Sequence, residues 1–346
     1  MKRFPIVAFL FVFSVQFQFG CSRPPTPVSD SKASPTASPS ASPSASTPTL
    51  TETEAEEPER LLATSAATST HCGDNPPANP SKCNINQQFN VGCTLPWSGG
   101  QSHDIDQRCP NEGCAKRDSD IAQNRVKNNL CSTGTPVQIS LTSVDKLQVA
   151  VDKLVQQGQL TYGKTGPPKP ADRAKLQGLS TVDSSGHPVT LGEGKLVTLD
   201  AFVLDAKHDD TFPFGFKGEG VNCNNSLLEW NDIHVALAGK ATAQECSSVT
   251  AEIIPHFRPA VWERFDSDTC TSPHVTNPLP VKGIRVRITG QLFFDGSHEP
   301  TPCGGPGGGG NPIRRSVWEI HPAYAIEVFD KTKKKFIPFD KWAEGK

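Results

Sequence analysis

Lys195-Leu-Val-Thr-Leu-Asp-Ala-Phe-Val-Leu204 is the stretch whose reading decides the fold. Leu196, Thr198, Asp200 and Phe202 fall on one side of it, and Val197, Leu199, Ala201 and Val203 on the other. A period of two belongs to a strand, whose successive side chains point to opposite faces. The pattern recurs further along the chain. Asp232 to Leu237 sets Ile233, Val235 and Leu237 on one face; Ser248 to Ile254 reads as a third strand. Gly283 to Phe294 reads as a fourth, and Val317 to Phe329 as a fifth, bent at Pro322. Between the third and fourth, Pro259-Ala-Val-Trp-Glu-Arg-Phe265 begins as a helix does, with Pro in the first turn. A parallel βαβ rhythm, G-x-G-x-x-G and G-x-x-x-x-G-K-[ST] are all missing, so nothing points to a nucleotide-binding α/β fold.

Strand–strand–strand–helix–strand–strand is the order of the OB-fold, a five-stranded, partly open barrel. Arg285-Val-Arg-Ile-Thr-Gly-Gln-Leu-Phe-Phe-Asp295, with Trp318-Glu-Ile-His-Pro322 and Ala325-Ile-Glu-Val328, resembles the last two strands of that fold in bacterial secreted proteins of no assigned activity. The resemblance implies a mainly β chain whose residues 183–346 form an OB-like antiparallel barrel. Gly290 marks the bend of the fourth strand.

The N-terminus speaks of export. Lys2-Arg3 precedes an apolar run from Phe4 to Phe19, too short to span a bilayer, and Gly20-Cys21 follows. These residues resemble the signal peptide of bacterial lipoproteins, with Gln18 standing where such signals usually carry Leu or Val. The resemblance implies a lipoprotein signal peptide over residues 1–21, cleaved just before Cys21, lipidation of Cys21, and a membrane partner reached through that anchor. With Ser22 next, it favours the outer membrane where a cell has two. Residues 22–70 are rich in Ser, Pro and Thr and then Glu, so they cannot bury enough apolar surface to offset ordering and read as a disordered tether.

Beyond Cys21 there are ten cysteines. Cys72, Cys83, Cys93, Cys109, Cys114 and Cys131 lie close together, whereas Cys223, Cys246, Cys270 and Cys303 are spread out. Even counts in an exported chain read as disulfides, although sequence alone does not pair them. Short loops favour Cys223–Cys246 and Cys270–Cys303 in the second group. A zinc knuckle at Cys109 and Cys114 with His103 is the rival, lacking a second close pair to complete it. Residues 71–182 thus form a small disulfide-rich α/irregular module. One helix lies within 117–131. A second is capped by Thr142 or Ser143 and carries the stripe Val144, Leu147, Val151, Leu154 and Val155 up to Gly158. Pro136 to Leu141 reads as a strand and 160–182 as an irregular connector.

Three functional readings follow. The formal net charge of −2 argues against a chain-wide nucleic-acid footprint. No cofactor motif is present, and the simplest expectation is a membrane-tethered binding or scaffold lipoprotein rather than an enzyme. The second reading is a metal-dependent extracytoplasmic hydrolase of nuclease or phosphodiesterase type. Asp232 and His234 share one face of a strand, Glu319 and His321 repeat that spacing, and His298 begins the loop after the fourth strand. Imidazole and carboxylate are first-row metal ligands if those faces converge. The third reading is a nucleic-acid or glycan binder using Phe214, Trp230, Arg314 and Arg315 in the two loops with which OB-folds bind ligands.

Overall fold

The computed structural model describes residues 83, 85–208, 218–225, 227–267, 275–304 and 312–346. All belong to one compact unit running from Ser65 to Lys346. Cys21, the tether 22–70, Cys72, Cys270 and Phe214 lie outside the described residues.

The helices are α1 (Asp104–Arg108), α2 (Asp118–Lys127), α3 (Leu141–Gln156), α4 (Pro170–Arg173) and α5 (Phe339–Ala343). The strands are β1 (Val137–Ile139), β2 (Leu179–Val182), β3 (Pro188–Leu191), β4 (Leu196–His208), β5 (Ile233–Ala238), β6 (Val249–Ile253), β7 (Arg285–Phe294), β8 (Trp318–Asp330) and β9 (Lys335–Pro338). The five expected strands are β4 to β8, each within a few residues of its expected bounds. Helices α1 and α4, the β2–β3 hairpin, β9 and α5 fall where no regular element was expected. A short 3₁₀ helix, Ala260–Phe265, fills the place of the helix expected after the third strand.

Pairing runs β4–β5–β6–β8–β7 and returns to β4, which closes a barrel. Four of these seams are antiparallel, and β6–β8 is parallel. The expectation of a wholly antiparallel barrel is therefore corrected to a mixed one. The reason is parity: direction cannot alternate around a ring with an odd number of strands, so at least one seam must be parallel. The long connection through Ala260–Phe265 and β7 supplies the crossover that such a seam needs. Gly290 sits at a register irregularity between β7 and β8, where an added Cβ would collide with the Pro322 carbonyl oxygen.

Alternation sends Val197, Leu199, Ala201 and Val203 of β4 inward, with Ile233, Val235 and Leu237 of β5 and Trp318 and Ile320 of β8. Val144, Leu147 and Val151 of α3 join the same cluster, so residues 71–182 and 183–346 share one core. Ser140 caps α3, its hydroxyl accepting the Ser143 N–H, ahead of the expected cap at Thr142 or Ser143. Val155, expected in the apolar stripe, is exposed. Among the described residues, no helix is long and apolar enough to cross a membrane.

Among the described residues, eight cysteines form Cys83–Cys114, Cys93–Cys131, Cys109–Cys223 and Cys246–Cys303. The expected Cys223–Cys246 and Cys270–Cys303 pairs are both corrected, because Cys223 and Cys303 are taken by other partners. Nearness in sequence failed as a guide because the fold lays the loop before β5 over α1. Cys109, Cys223, Ile105 and Trp230 pack there as one buried group. The zinc-knuckle alternative ends with the same bonds, which place Cys109 and Cys114 in different disulfides. His103 instead directs Nε2 at the Arg258 carbonyl, 2.8 Å away.

Candidate metal centre

Where Ile233 and Val235 point into the barrel, Asp232 and His234 must point out. The β5–β6 register sets His234 opposite Glu252, and the parallel β6–β8 seam sets Thr250 beside Glu319 and Ala251 beside Ile320. One further step along that seam brings His321 to Glu252. Three neighbouring strands thus raise histidines and carboxylates on one outer face. That face is roofed by the end of α2, through Lys127, and by the segment 218–225, which Cys109–Cys223 ties down. Asn222 of this segment donates its side-chain amide to Asp232 Oδ1 at 3.2 Å.

The distances under this roof are short. His321 Nε2 lies 2.8 Å from Glu252 Oε2 and 3.5 Å from Asp232 Oδ2. His234 Nε2 lies 3.7 Å from the same Glu252 oxygen. Ligand atoms of Glu219, Asp232, His234 and Glu252 all fall within 4.8 Å of one another, as do those of Glu252, Glu319 and His321. Ligands bonded to one first-row ion at about 2.0–2.2 Å are spaced on this scale. Asp232, Glu252, Glu319 and His321 are each 2 % exposed or less. Even so, Asp232 Oδ2, Glu252 Oε2, Glu319 Oε2 and both His321 ring nitrogens make no well-angled hydrogen bond among the described residues. Buried polar atoms are ordinarily satisfied, and each one that is not costs about 1–3 kcal/mol.

The charges are unbalanced as well. Glu219, Asp232, Glu252, Asp295 and Glu319 face two permanent cations, Lys127 and Arg314. Protons make up part of the difference. Burial disfavours a charged His321, but Glu252 and Asp232 prevail and raise its pKa to about 10. Burial, only partly opposed by Lys127, raises Glu219 to about 8. Burial and the charge of Glu252 raise Glu319 to about 7 against the pull of Arg314. Glu252 itself is held well below the usual carboxylate range, since His234, Lys127 and His321 outweigh its burial.

Of the residues expected to bind metal, Asp232, His234, Glu319 and His321 meet in this cluster. His298 does not join their ligand atoms. Its Nδ1 lies 2.6 Å from Asp295 Oδ2, and Asp295 is bound in turn by Arg314 Nη2 at 2.6 Å. Glu252, Glu219 and Lys127 were missed. Glu252 was legible, because it occupies the outward phase of β6 opposite His234. Glu219 stands in a long loop with no periodic signal. A solvent-open cleft of about 480 Å³ reaches Lys127, Glu219, Asp295, Ser297 and His298. The loop residues fall elsewhere. Trp230 is buried beside Cys109, and Arg314 is buried against Asp295 and Glu319. Arg315 Nε donates to Asp145 Oδ1 at 2.7 Å. Neither Trp230 nor Arg314 offers a surface on which a base or sugar could stack. No protein-family profile matches the chain, and no curated protein matches it either.

Proposed function

We propose that this is an exported lipoprotein, anchored through Cys21 and held off the membrane by residues 22–70, whose OB-like barrel binds a divalent transition-metal ion. Asp232, His234, Glu252 and His321 supply ligands to the centre. The observation that carries this reading is the convergence on Glu252 of Asp232, Glu319 and His321, whose buried ligand atoms Asp232 Oδ2, Glu319 Oε2 and the His321 ring nitrogens make no well-angled hydrogen bond among the described residues. Mixed imidazole and carboxylate donors suit zinc and its first-row neighbours. The disulfides agree with an oxidising compartment outside the cytoplasm. The OB assignment is supported by the order β4–β5–β6–β8–β7 with its parallel third-to-fifth seam.

To test this, the full chain is exported to an oxidising compartment, purified without chelator, exchanged into Zn2+ and freed of excess ion. Elemental analysis is expected to find zinc that a strong chelator removes. Asp232→Asn and His321→Ala are expected to weaken retention by more than about tenfold, the scale on which even outer partners of metal ligands act. A folded wild-type chain that retains no zinc ends the proposal.

The cleft favours hydrolysis as the second reading, since it gives a substrate access to Glu219 and to the His298–Asp295 pair. A metal-bound water is a strong nucleophile near neutral pH. The matching assay is hydrolysis of bis(p-nitrophenyl) phosphate, expected to require metal and to fail in Asp232→Asn. Metal-loaded protein inactive on this and related esters leaves the binding role alone.

A further inference from the structure

Ligand atoms gather here in two groups, and the groups share one residue. Glu219, Asp232 and His234 surround Glu252 on the β5 side, and Glu319 and His321 surround it on the β8 side. No other residue is common to the two sets. We infer that the centre is dinuclear, with Glu252 as the bridging carboxylate: one ion held by Glu219, Asp232 and His234, the other by Glu319 and His321. This rests on the metal reading above and adds the number of ions and their division among residues.

Three observations carry it. The first is position. Glu252 is the central member of the three-strand row, with His234 across one seam and His321 across the other. Both histidines face the same Glu252 oxygen, Oε2, so the bridge would run through that atom, and ions in two-metal sites sit about 3.5–4 Å apart. The second is the spread of unsatisfied atoms over both groups: Asp232 Oδ2 in one, Glu319 Oε2 and the His321 nitrogens in the other, and Glu252 Oε2 between them. A single ion on the β5 side would leave the buried Glu319 oxygen without a partner. The third is charge. Against five carboxylates and two permanent cations, two divalent ions leave one positive charge with the histidines neutral. That surplus suits an anionic ligand, such as a phosphate ester or a hydroxide, entering by the cleft. Lys127 and Arg314 flank the two ends. Lys127 Nζ stands 3.4 Å from Glu219 and 3.5 Å from Glu252, and Arg314 holds the other oxygen of Glu319.

The experiment is ion counting by native mass spectrometry on the full exported chain titrated with Zn2+. The expected result is two zinc ions per chain, falling to one in Glu219→Gln and to one in Glu319→Gln. Glu252→Gln is expected to weaken both sites at least tenfold. Because Glu319 is buried against Arg314, its variant can misfold, so a second readout uses the wild type alone. Electron paramagnetic resonance of the Mn2+-saturated protein is expected to show an exchange-coupled pair. One zinc at saturation, or the six-line signal of isolated Mn2+, overturns the dinuclear centre and leaves the metal reading standing. Binding of neither ion overturns both.

Discussion

Glu193 and Arg173 show how much rests on single side chains outside the proposed metal centre. Both are buried, their charged atoms lie 2.6 Å apart, and Arg173 also donates to Gln123 and to the Phe294 carbonyl. They fasten α4 to the end of β7. Removing one partner of a buried pair strands the other, typically at about 3–5 kcal/mol. Glu193→Ala is therefore expected to lower the urea midpoint by that much stability, with the m-value unchanged. Gly290 poses a steric problem instead. A methyl group there meets the Pro322 carbonyl oxygen and the Ile320 side chain, so β7 and β8 cannot both keep their places. Gly290→Ala is expected to cost about 1–3 kcal/mol, the usual range for overpacking. A variant as stable as the parent in the same denaturation would show that the seam gives way freely.

Among the elements, the Cys109–Cys223 bond joins the helical segment around α1 to the loop that roofs the proposed metal centre. It closes 114 residues of chain. Chain entropy for a loop near that length gives about 4–5 kcal/mol of stabilisation. The Cys109→Ala/Cys223→Ala double variant is expected to melt markedly lower and also to bind Zn2+ more weakly, because Glu219 would lose its tether. Unchanged zinc affinity in a folded double variant would place Glu219 outside the ligand set. This bond also marks where sequence reading stops. Period-two alternation made β4 to β8 legible, and with them the outward phase of Asp232, His234, Glu319 and His321. Convergence was not legible, because it depends on which strands lie side by side, and the β6–β8 seam joins strands far apart in the chain. Disulfide pairing failed for the same reason. Trp230 and Arg314 looked like loop ligands because composition does not show which side of a loop is buried.

At the level of the whole molecule, the acid response is set partly by a second network between the end of β4 and the 3₁₀ helix Ala260–Phe265. Glu263 lies against Arg258 and His208, and these overcome the effect of burial to hold it at about 2, below the ordinary 4.5. A carboxyl with a depressed pKa stabilises the fold above its unfolded value and loses that contribution as pH falls. The melting temperature of the wild type should thus exceed that of Glu263→Gln above pH 4.5, and the gap should close between pH 4.5 and about 2. A gap that persists to the acid end would assign the effect to packing. The ring of strands carries one last implication. Strand β6 precedes its partner β8 by a long stretch of chain, so its free edge is covered only when that later strand is in place. Until the final strand arrives, a half-built sheet offers unpaired backbone to any neighbour. A chain in which β8 is missing or displaced is therefore the form of this molecule most open to edge-to-edge pairing with another chain.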